Sequence, residues 1–412
     1  MIKNKFLKSL ISLVSGTLLS KVIAFSILPL ITRMYTVDDF GQMSLTLSLM
    51  VTLAPILHFG YGFAIPLSKS ENSRKVLYKL SLFVSLFSAT FILLLFLALN
   101  HLSFNITGLN DLDVTLVVLG AFFLAFLEIN TQSQIKSRKF KLVSINLVSR
   151  SVFSSMTKLI LGWFSCANGL FIGVVTQDIP MSIYYFFKEK SVVLKPISKK
   201  RFKKVCFAYS VFPKFRLPSN LSLVLSSQAP LILCGIFYSV MEVGLLGVAL
   251  NVVALPSSLM ANSISQVFYG EILKIGPNNK EHIKKLLVKT NLWIVIISLP
   301  PVLILMFFSE EIFIFVFGND WSVSGKFASI LCVYVVFQVC AVVSIKTLHL
   351  FNEQKKLLNI NIFRLVFGSS VFIIFGISDI SIDIALAVYS FFMALSYSRT
   401  IAICWRKCNE VI

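Results

Sequence analysis

Residues 79–100 read KLSLFVSLFSATFILLLFLALN and carry no charge after Lys79. A run of this length matches the roughly 20 apolar residues with which an α-helix crosses the hydrocarbon core. Lipid also obliges such a segment to satisfy its backbone hydrogen bonds within one helix. Working outward, the pattern recurs at 10–31, 42–65, 114–134, 142–164, 168–187, 205–237, 244–267, 287–308, 326–347, 357–378 and 383–404. Twelve such stretches in 412 residues, joined by short loops, predict an all-α polytopic membrane protein. The stretch 205–237 is too long for one straight helix.

The composition agrees, with 57% hydrophobic and 14% charged residues against about 25% charged in a soluble domain. The net charge of +20 invites a nucleic-acid reading, but its placement decides otherwise. Counting the N-terminus and then every second loop, each with the first three residues of the span that follows, collects 28 of the 38 Lys and Arg residues, whereas the six intervening loops counted in the same way hold only Arg33 and Lys326. The positive-inside rule then predicts cytoplasmic termini, and nucleic acid is not needed as a partner. Met1–Leu10, with Lys3, Lys5 and Lys8 before an apolar run, reads as the start of an uncleaved first span. The seven cysteines are scattered, no CxxC occurs, and the four histidines do not cluster with them. No metal site, redox pair or cofactor is predicted.

The basic loop Lys188–Lys204 divides the spans into six and six, which predicts lobes at 1–190 and 205–412 joined by a basic linker at 191–204. An even number of spans per half gives parallel repeats. Tyr35-Thr36-Val37-Asp38-Asp39-Phe40-Gly41 follows span one, and Tyr238-Ser239-Val240-Met241-Glu242-Val243-Gly244 follows span seven. Both read Y-[ST]-V-x-[DE]-x-G, and both open a span. The acidic residue is placed to cap the next helix, and Gly41 and Gly244 permit a close approach or a positive φ.

The segment Arg33-Met34-Tyr35-Thr36-Val37-Asp38-Asp39-Phe40-Gly41 resembles the R-x-Y-[ST]-x-x-[DE]-F-G segment of the polysaccharide-export flippases. These include the Wzx-type O-antigen flippases of the multidrug/oligosaccharidyl-lipid/polysaccharide exporter superfamily. Phe317-Gly318-Asn319-Asp320-Trp321 resembles the same family's F-G-x-x-[WY] turn. The resemblance implies two six-helix lobes facing a central cavity, alternating access, and a place in the bacterial inner membrane. It further implies an undecaprenyl-diphosphate-linked glycan as cargo, no enzymatic activity, and membrane lipids as surroundings. H+ or Na+ is the implied coupling ion, and a polysaccharide polymerase and chain-length regulator are the implied partners.

Ionisable residues at bilayer depth face a cavity or a partner as a rule, because exposing them to lipid costs a few kcal/mol, roughly 3 on insertion scales. Lys21, Arg150, Lys158, Lys214, Arg216 and Arg364 are the candidate cations for a diphosphate, which such groups bind through charge-assisted bonds. Lys346 and Arg399 lie near span ends and can snorkel. In span five, Asn146, Arg150, Ser154 and Thr157 form one stripe, which lines water or makes a polar helix contact. In span seven, Pro213 and Pro218 remove backbone donors and predict an interruption. It is a moving part, or else an interfacial stretch before a helix that starts near Leu217. Asp178 and Glu128 are the candidate coupling carboxylates, with Asp178 alternatively a counter-ion to Arg150 or Lys158.

Three further readings compete with the glycan flippase. Two share its fold, a cation-coupled drug antiporter and a flippase for the peptidoglycan precursor; the third is a membrane glycosyltransferase or polymerase. The outer segments, about 100–113 and 309–325, hold no acid/base constellation, and no Walker loop is present.

Overall fold

The computed structural model describes residues 2–101, 111–137, 139–166, 168–194, 198–351 and 353–409. Among them the α-helices are α1 (Ile2–Ile31), α2 (Val37–Leu57), α3 (Glu71–His101), α4 (Asp111–Lys136), α5 (Phe140–Trp163), α6 (Gly169–Thr176) and α7 (Ile179–Leu194). There follow α8 (Lys199–Ala208), α9 (Leu217–Phe237), α10 (Val240–Ile275), α11 (Lys280–Phe317), α12 (Ser322–Leu350), α13 (Gln354–Ile377) and α14 (Ile382–Asn409).

Each expected span falls on a helix. Nine stretches of the described residues are long and apolar enough to cross a membrane, and Ser15–Ile31 and Val240–Leu255 are shorter apolar helices. Span five, on α5, is in neither group, because Asn146, Arg150 and Lys158 interrupt its apolar sequence. That helix is built polar side inward: Ser144, Asn146, Ser154 and Ser155 are buried, while Ile145, Met156 and Ile160 are exposed. The chain is a multi-pass helical membrane protein.

Two span boundaries are corrected, and the interruption expected in span seven is located. Span two, expected over 42–65, ends as α2 at Leu57 and gives way to a 3-10 turn at Tyr61–Leu67. Span six is two helices, α6 and α7, separated at Gln177 and Asp178. Pro180 supplies the cause, since it has no N–H for the Thr176 carbonyl, and as the second residue of α7 its missing donor costs the new helix nothing. Span seven is interrupted between α8 and α9, and the regular helix begins at Leu217.

The chain divides into two compact units, one of residues 1–35 and 45–224, the other of 36–44 and 225–412. Compared with lobes at 1–190 and 205–412, the start of α2 counts with the second unit and residues 205–224 with the first. In the first unit α1 lies along α5 and α3 along α4. Ser151 Oγ donates to the Ser20 carbonyl at 2.6 Å, and Tyr78 Oη donates to Asn130 Oδ1 at 3.0 Å. In the second unit α12 is the central rod, buried among α10, α11 and α14.

The repeated heptads form one corner of the second unit. Each opens its helix with a capping box: Asp39 N–H donates to Thr36 Oγ1 and Thr36 N–H to Asp39 Oδ2, and Glu242 and Ser239 exchange the same two bonds. The cap is therefore the hydroxyl residue, with the acid three positions later reaching back, rather than the acid alone. The glycines are helical and serve close approach. A Cβ on Gly41 would collide with the Val240 carbonyl oxygen, and one on Gly244 would collide with that of Val37. Each motif's glycine thus seats on the other motif's valine. Phe40 completes the corner edge-on to Trp321, with ring centroids 4.8 Å apart and both side chains buried, so the two family-like motifs meet.

The tyrosines of the heptads carry the repeat further. Tyr35 Oη donates to the Lys158 carbonyl at 2.7 Å near the end of α5, and Tyr238 Oη to that of Ile380 at 3.1 Å just after α13. Both helices finish with the same turn. Ser165 and Asp379 each adopt φ 51°, three residues after Gly162 and Gly376 respectively. Those glycines receive the residues around the tyrosines: Gly162 meets Met34 and Tyr35, and Gly376 meets Phe237.

At the glycine crossing, added atoms must push two backbones apart, at a cost of about 1–3 kcal/mol. Gly41→Ala and Gly244→Ala are each expected to lower the thermal unfolding midpoint in detergent. The double variant should cost less than the sum, because the first substitution already opens the shared crossing. Gly270→Ala, where a Cβ meets nothing within 4 Å, should be neutral or stabilising. Strict additivity of the two corner glycines would contradict a shared contact.

Candidate functional site

Two irregular places in the first unit carry ionisable side chains. The first is the break between α6 and α7. Asp178 lies there with its side chain 0% exposed, and Arg150 Nε from α5 stands 3.2 Å from its Oδ1. Opposite charges about 3–4 Å apart attract by roughly 4–5 kcal/mol at an effective dielectric near 20, before desolvation is counted. The contact is electrostatic, as neither Asp178 oxygen accepts an aligned hydrogen bond. The carboxylate's hydrogen-bonding capacity is therefore unspent although water does not reach it. Arg150 is 29% exposed.

The polar stripe of α5 is spent on neighbouring helices at two of its positions. Asn146 Nδ2 donates to Thr131 Oγ1 of α4 at 3.3 Å, and Arg150 takes Asp178. Lys158 is half-buried, and its stem lies across Gly173 of α6, where a Cβ would stand 2.5 Å from Lys158 Cγ. Lys21 is half-buried on α1, next to the Ser20 carbonyl that receives Ser151.

The second place joins the end of α2 to the interruption of span seven. Past Leu57 the chain turns through Phe59 and Gly60 at φ 47° and 71°, then runs as the 3-10 turn. Residues Phe212–Arg216 form a π-turn containing Pro213, and it runs into α9, whose first residue, Leu217, donates its N–H back to the Phe212 carbonyl and whose second is Pro218. Gly60 fits against this turn, with a Cβ there 3.3 Å from the Phe212 carbonyl oxygen and 3.2 Å from Leu217 Cβ. Tyr61 Oη lies 3.2 Å from Cys206 Sγ, and the Arg216 guanidinium lies 5.9 Å from the Phe63 ring centroid. Lys214 and Arg216 are both exposed.

His58 sits between these segments, unforeseen from the sequence. It is 0% exposed, its Nε2 is 3.3 Å from Glu128 Oε2 on α4, and its ring meets Phe63 edge-on at 5.1 Å. Nδ1 has no partner. The signal available was an ionisable residue within an apolar run, just ahead of Gly60 and Gly62. Glu128 is thereby a half-buried member of a pair, reachable from outside.

Of the residues expected to share one cationic lumen, Lys21, Arg150, Lys158, Lys214 and Arg216 belong to the first unit. Arg364 belongs to the second, 5% exposed, with its guanidinium 4.2 Å from the Tyr397 ring centroid and Nη2 donating to Thr400 Oγ1 at 3.3 Å.

Removing one member of a buried ion pair strands the other, at about 3–5 kcal/mol. Arg150→Gln is expected to cost that much, because Asp178 has no route to water. Asp178→Asn should cost less, since Arg150 keeps its partial exposure. Thermal unfolding of both variants in one detergent ranks them, and the opposite order would contradict this assignment.

Residues 30–326 match the family described as "Polysaccharide biosynthesis protein". No curated protein sequence matches the chain. Among solved structures it is similar to the lipid II flippase MurJ in an inward closed conformation, with a TM-score of 0.74 at 14% identity, covering 95% of this chain and 86% of that one. It is also similar to an inward-facing multidrug resistance MATE family transporter of the MOP superfamily, with a TM-score of 0.62 at 16% identity over 94% and 99% of the two chains. The MATE multidrug transporter DinF-BH gives a TM-score of 0.60 at 16% identity over 96% and 95%. At these identities the likeness concerns the fold, which is that of a membrane flippase or transporter. The chain belongs to the polysaccharide biosynthesis protein family.

Proposed function

We propose that this protein is a flippase that carries an undecaprenyl-diphosphate-linked oligosaccharide, such as an O-antigen repeat unit, across the bacterial inner membrane by alternating access, with both termini cytoplasmic. The observation that carries the reading is the sign of the charge left over at membrane depth. Asp178 is matched to Arg150 and Glu128 to His58. Among the described residues, Lys21, Lys158, Lys214 and Arg216 of the same unit have no carboxylate within ion-pair distance. Excess cations suit a diphosphate headgroup, which Lys and Arg bind through charge-assisted bonds. A pump for cationic drugs calls for the opposite sign, so the antiporter reading is secondary.

Asp178 and Glu128 are the proposed coupling groups, now with Arg150 and His58 as their partners. A proton or Na+ arriving at Asp178 competes with Arg150 for the carboxylate, and the released guanidinium becomes available to phosphate. Binding of ion and cargo are then linked through one side chain.

Complementation of a flippase-null strain tests the proposal. Restored surface polysaccharide is expected, whereas drug resistance without polysaccharide would favour the antiporter. In the same strain Asp178→Asn is expected to lower export by about fivefold or more, the lower range of a coupling free energy, while membrane expression is retained. A well-expressed, fully active Asp178→Asn variant would remove Asp178 from the mechanism.

A further inference from the structure

The first half of α13 and the last half of α14 enclose a groove of about 470 Å3, lined by Lys356, Ile360, Phe363, Arg399, Ile403 and Arg406 among others. Its polar lining is cationic or neutral, with no carboxylate among the described lining residues. The nearby anion, Glu353, pairs closely with Lys407, whose Nζ lies 2.6 Å from its Oε1, and more loosely with the groove's own Lys356, whose Nζ lies 3.6 Å away. The Lys407 hydrogen bond, reinforced by Lys356, holds the Glu353 carboxyl below the usual glutamate range.

Two arginines are set in place by aromatic rings. The exposed Arg399 guanidinium lies 4.7 Å from the Phe363 ring centroid, which orients the planar group while leaving its N–H edges for an acceptor. Beneath the groove, buried Arg364 donates to Thr400, itself a lining residue, and has no partner for Nε. The apolar side of the groove continues as a ladder of rings along the same two helices. Phe363 and Phe367 are 4.3 Å apart between centroids, and Phe367 stacks on Phe392 at 5.2 Å. Phe367 is exposed.

Cations at a helix end beside an apolar track leading along the helices form the complement of an amphiphile with a phosphate head. We propose that this groove binds the phosphate of an anionic glycerophospholipid, with an acyl chain lying along Phe363, Phe367 and Phe392. The lipid belongs to the leaflet that the ends of α13 and α14 reach, and it need not leave that leaflet to bind. Basic pockets between membrane helices hold headgroups in this way. The site is separate from the cargo reading, which rests on side chains of the other unit, and it requires only that α13 and α14 lie in a bilayer.

The test uses the purified full chain in phosphatidylcholine nanodiscs containing a trace of fluorescent phosphatidylglycerol, with bound lipid read by energy transfer from the protein's tryptophans. Saturable binding of phosphatidylglycerol in preference to labelled phosphatidylcholine is expected. Each of Lys356→Gln, Arg399→Gln and Arg406→Gln should weaken it by about fivefold, the effect of one basic residue near an anionic headgroup. Arg399→Lys keeps the charge and should retain most of the binding, which separates lost charge from lost packing on Phe363. Lys274→Gln with Lys285→Gln removes two exposed cations elsewhere and should leave binding unchanged. An equal loss from that pair would overturn the proposal in favour of diffuse surface charge. Competition by an isoprenyl diphosphate but not by unlabelled phosphatidylglycerol would also overturn it, because the groove would then select the cargo's headgroup.

Discussion

A backbone amide in hydrocarbon has no water to turn to, and this constraint governs the molecule. It makes each span a helix, and it makes each departure from helix costly unless protein surrounds it. The α6–α7 break and the turn after α2 obey that condition, whereas the π-turn before α9, none of whose residues is buried, keeps its backbone bonded within its own turn. At the α6–α7 break Asp178 is sealed from solvent and faces Arg150, while the turn after α2 packs against the π-turn before α9 and encloses His58. Irregular backbone and buried charge occur together because each provides what the other lacks. An opened helix leaves polar backbone groups for a polar environment, and an ionised side chain requires one.

The same constraint explains the use of small and hydroxylic residues where helices touch. Lipid tails are as apolar as leucine, so helices gain from one another through close contact and hydrogen bonds rather than through burial of apolar surface. Gly41 and Gly244 bring two backbones into contact, and Ser151, Ser309 and Ser324 donate to carbonyls of neighbouring segments at Ser20, Gly325 and Leu245. The inward polar face of α5 belongs to this pattern. Most of its exposed positions, among them Ile145, Phe153, Met156 and Ile160, are apolar, the reverse of a helix at the surface of a water-soluble protein.

Most spans were legible because they are long and apolar, and span five was legible despite Asn146, Arg150 and Lys158 within it. The interruption of span seven was also legible, since Pro213 and Pro218 stand inside it. Pro180 had the same effect on span six, yet with Thr176, Gln177 and Asp178 beside it the stretch was still long and apolar enough to read as one helix. His58 went unnoticed because a lone histidine in a greasy segment has no local pattern, and its partner on α4 is remote in sequence. The heptad repeat announced a glycine requirement without naming the partner, which proved to be the other copy of the heptad. The matching turns after α5 and α13 were hidden altogether. Residues 161–166 read LGWFSC and residues 375–380 FGISDI, so only the glycine is shared, although Ser165 and Asp379 have the same φ.

The reciprocity at the corner has an evolutionary consequence. Where Gly41 meets Val240 and Gly244 meets Val37, the contact has the form of a self-complementary interface, in which one patch recognises its own duplicate. Such a patch needs no second kind of sequence to close. A change at any one of the four positions is therefore felt at both contacts, so the two glycines and two valines are free to vary only together.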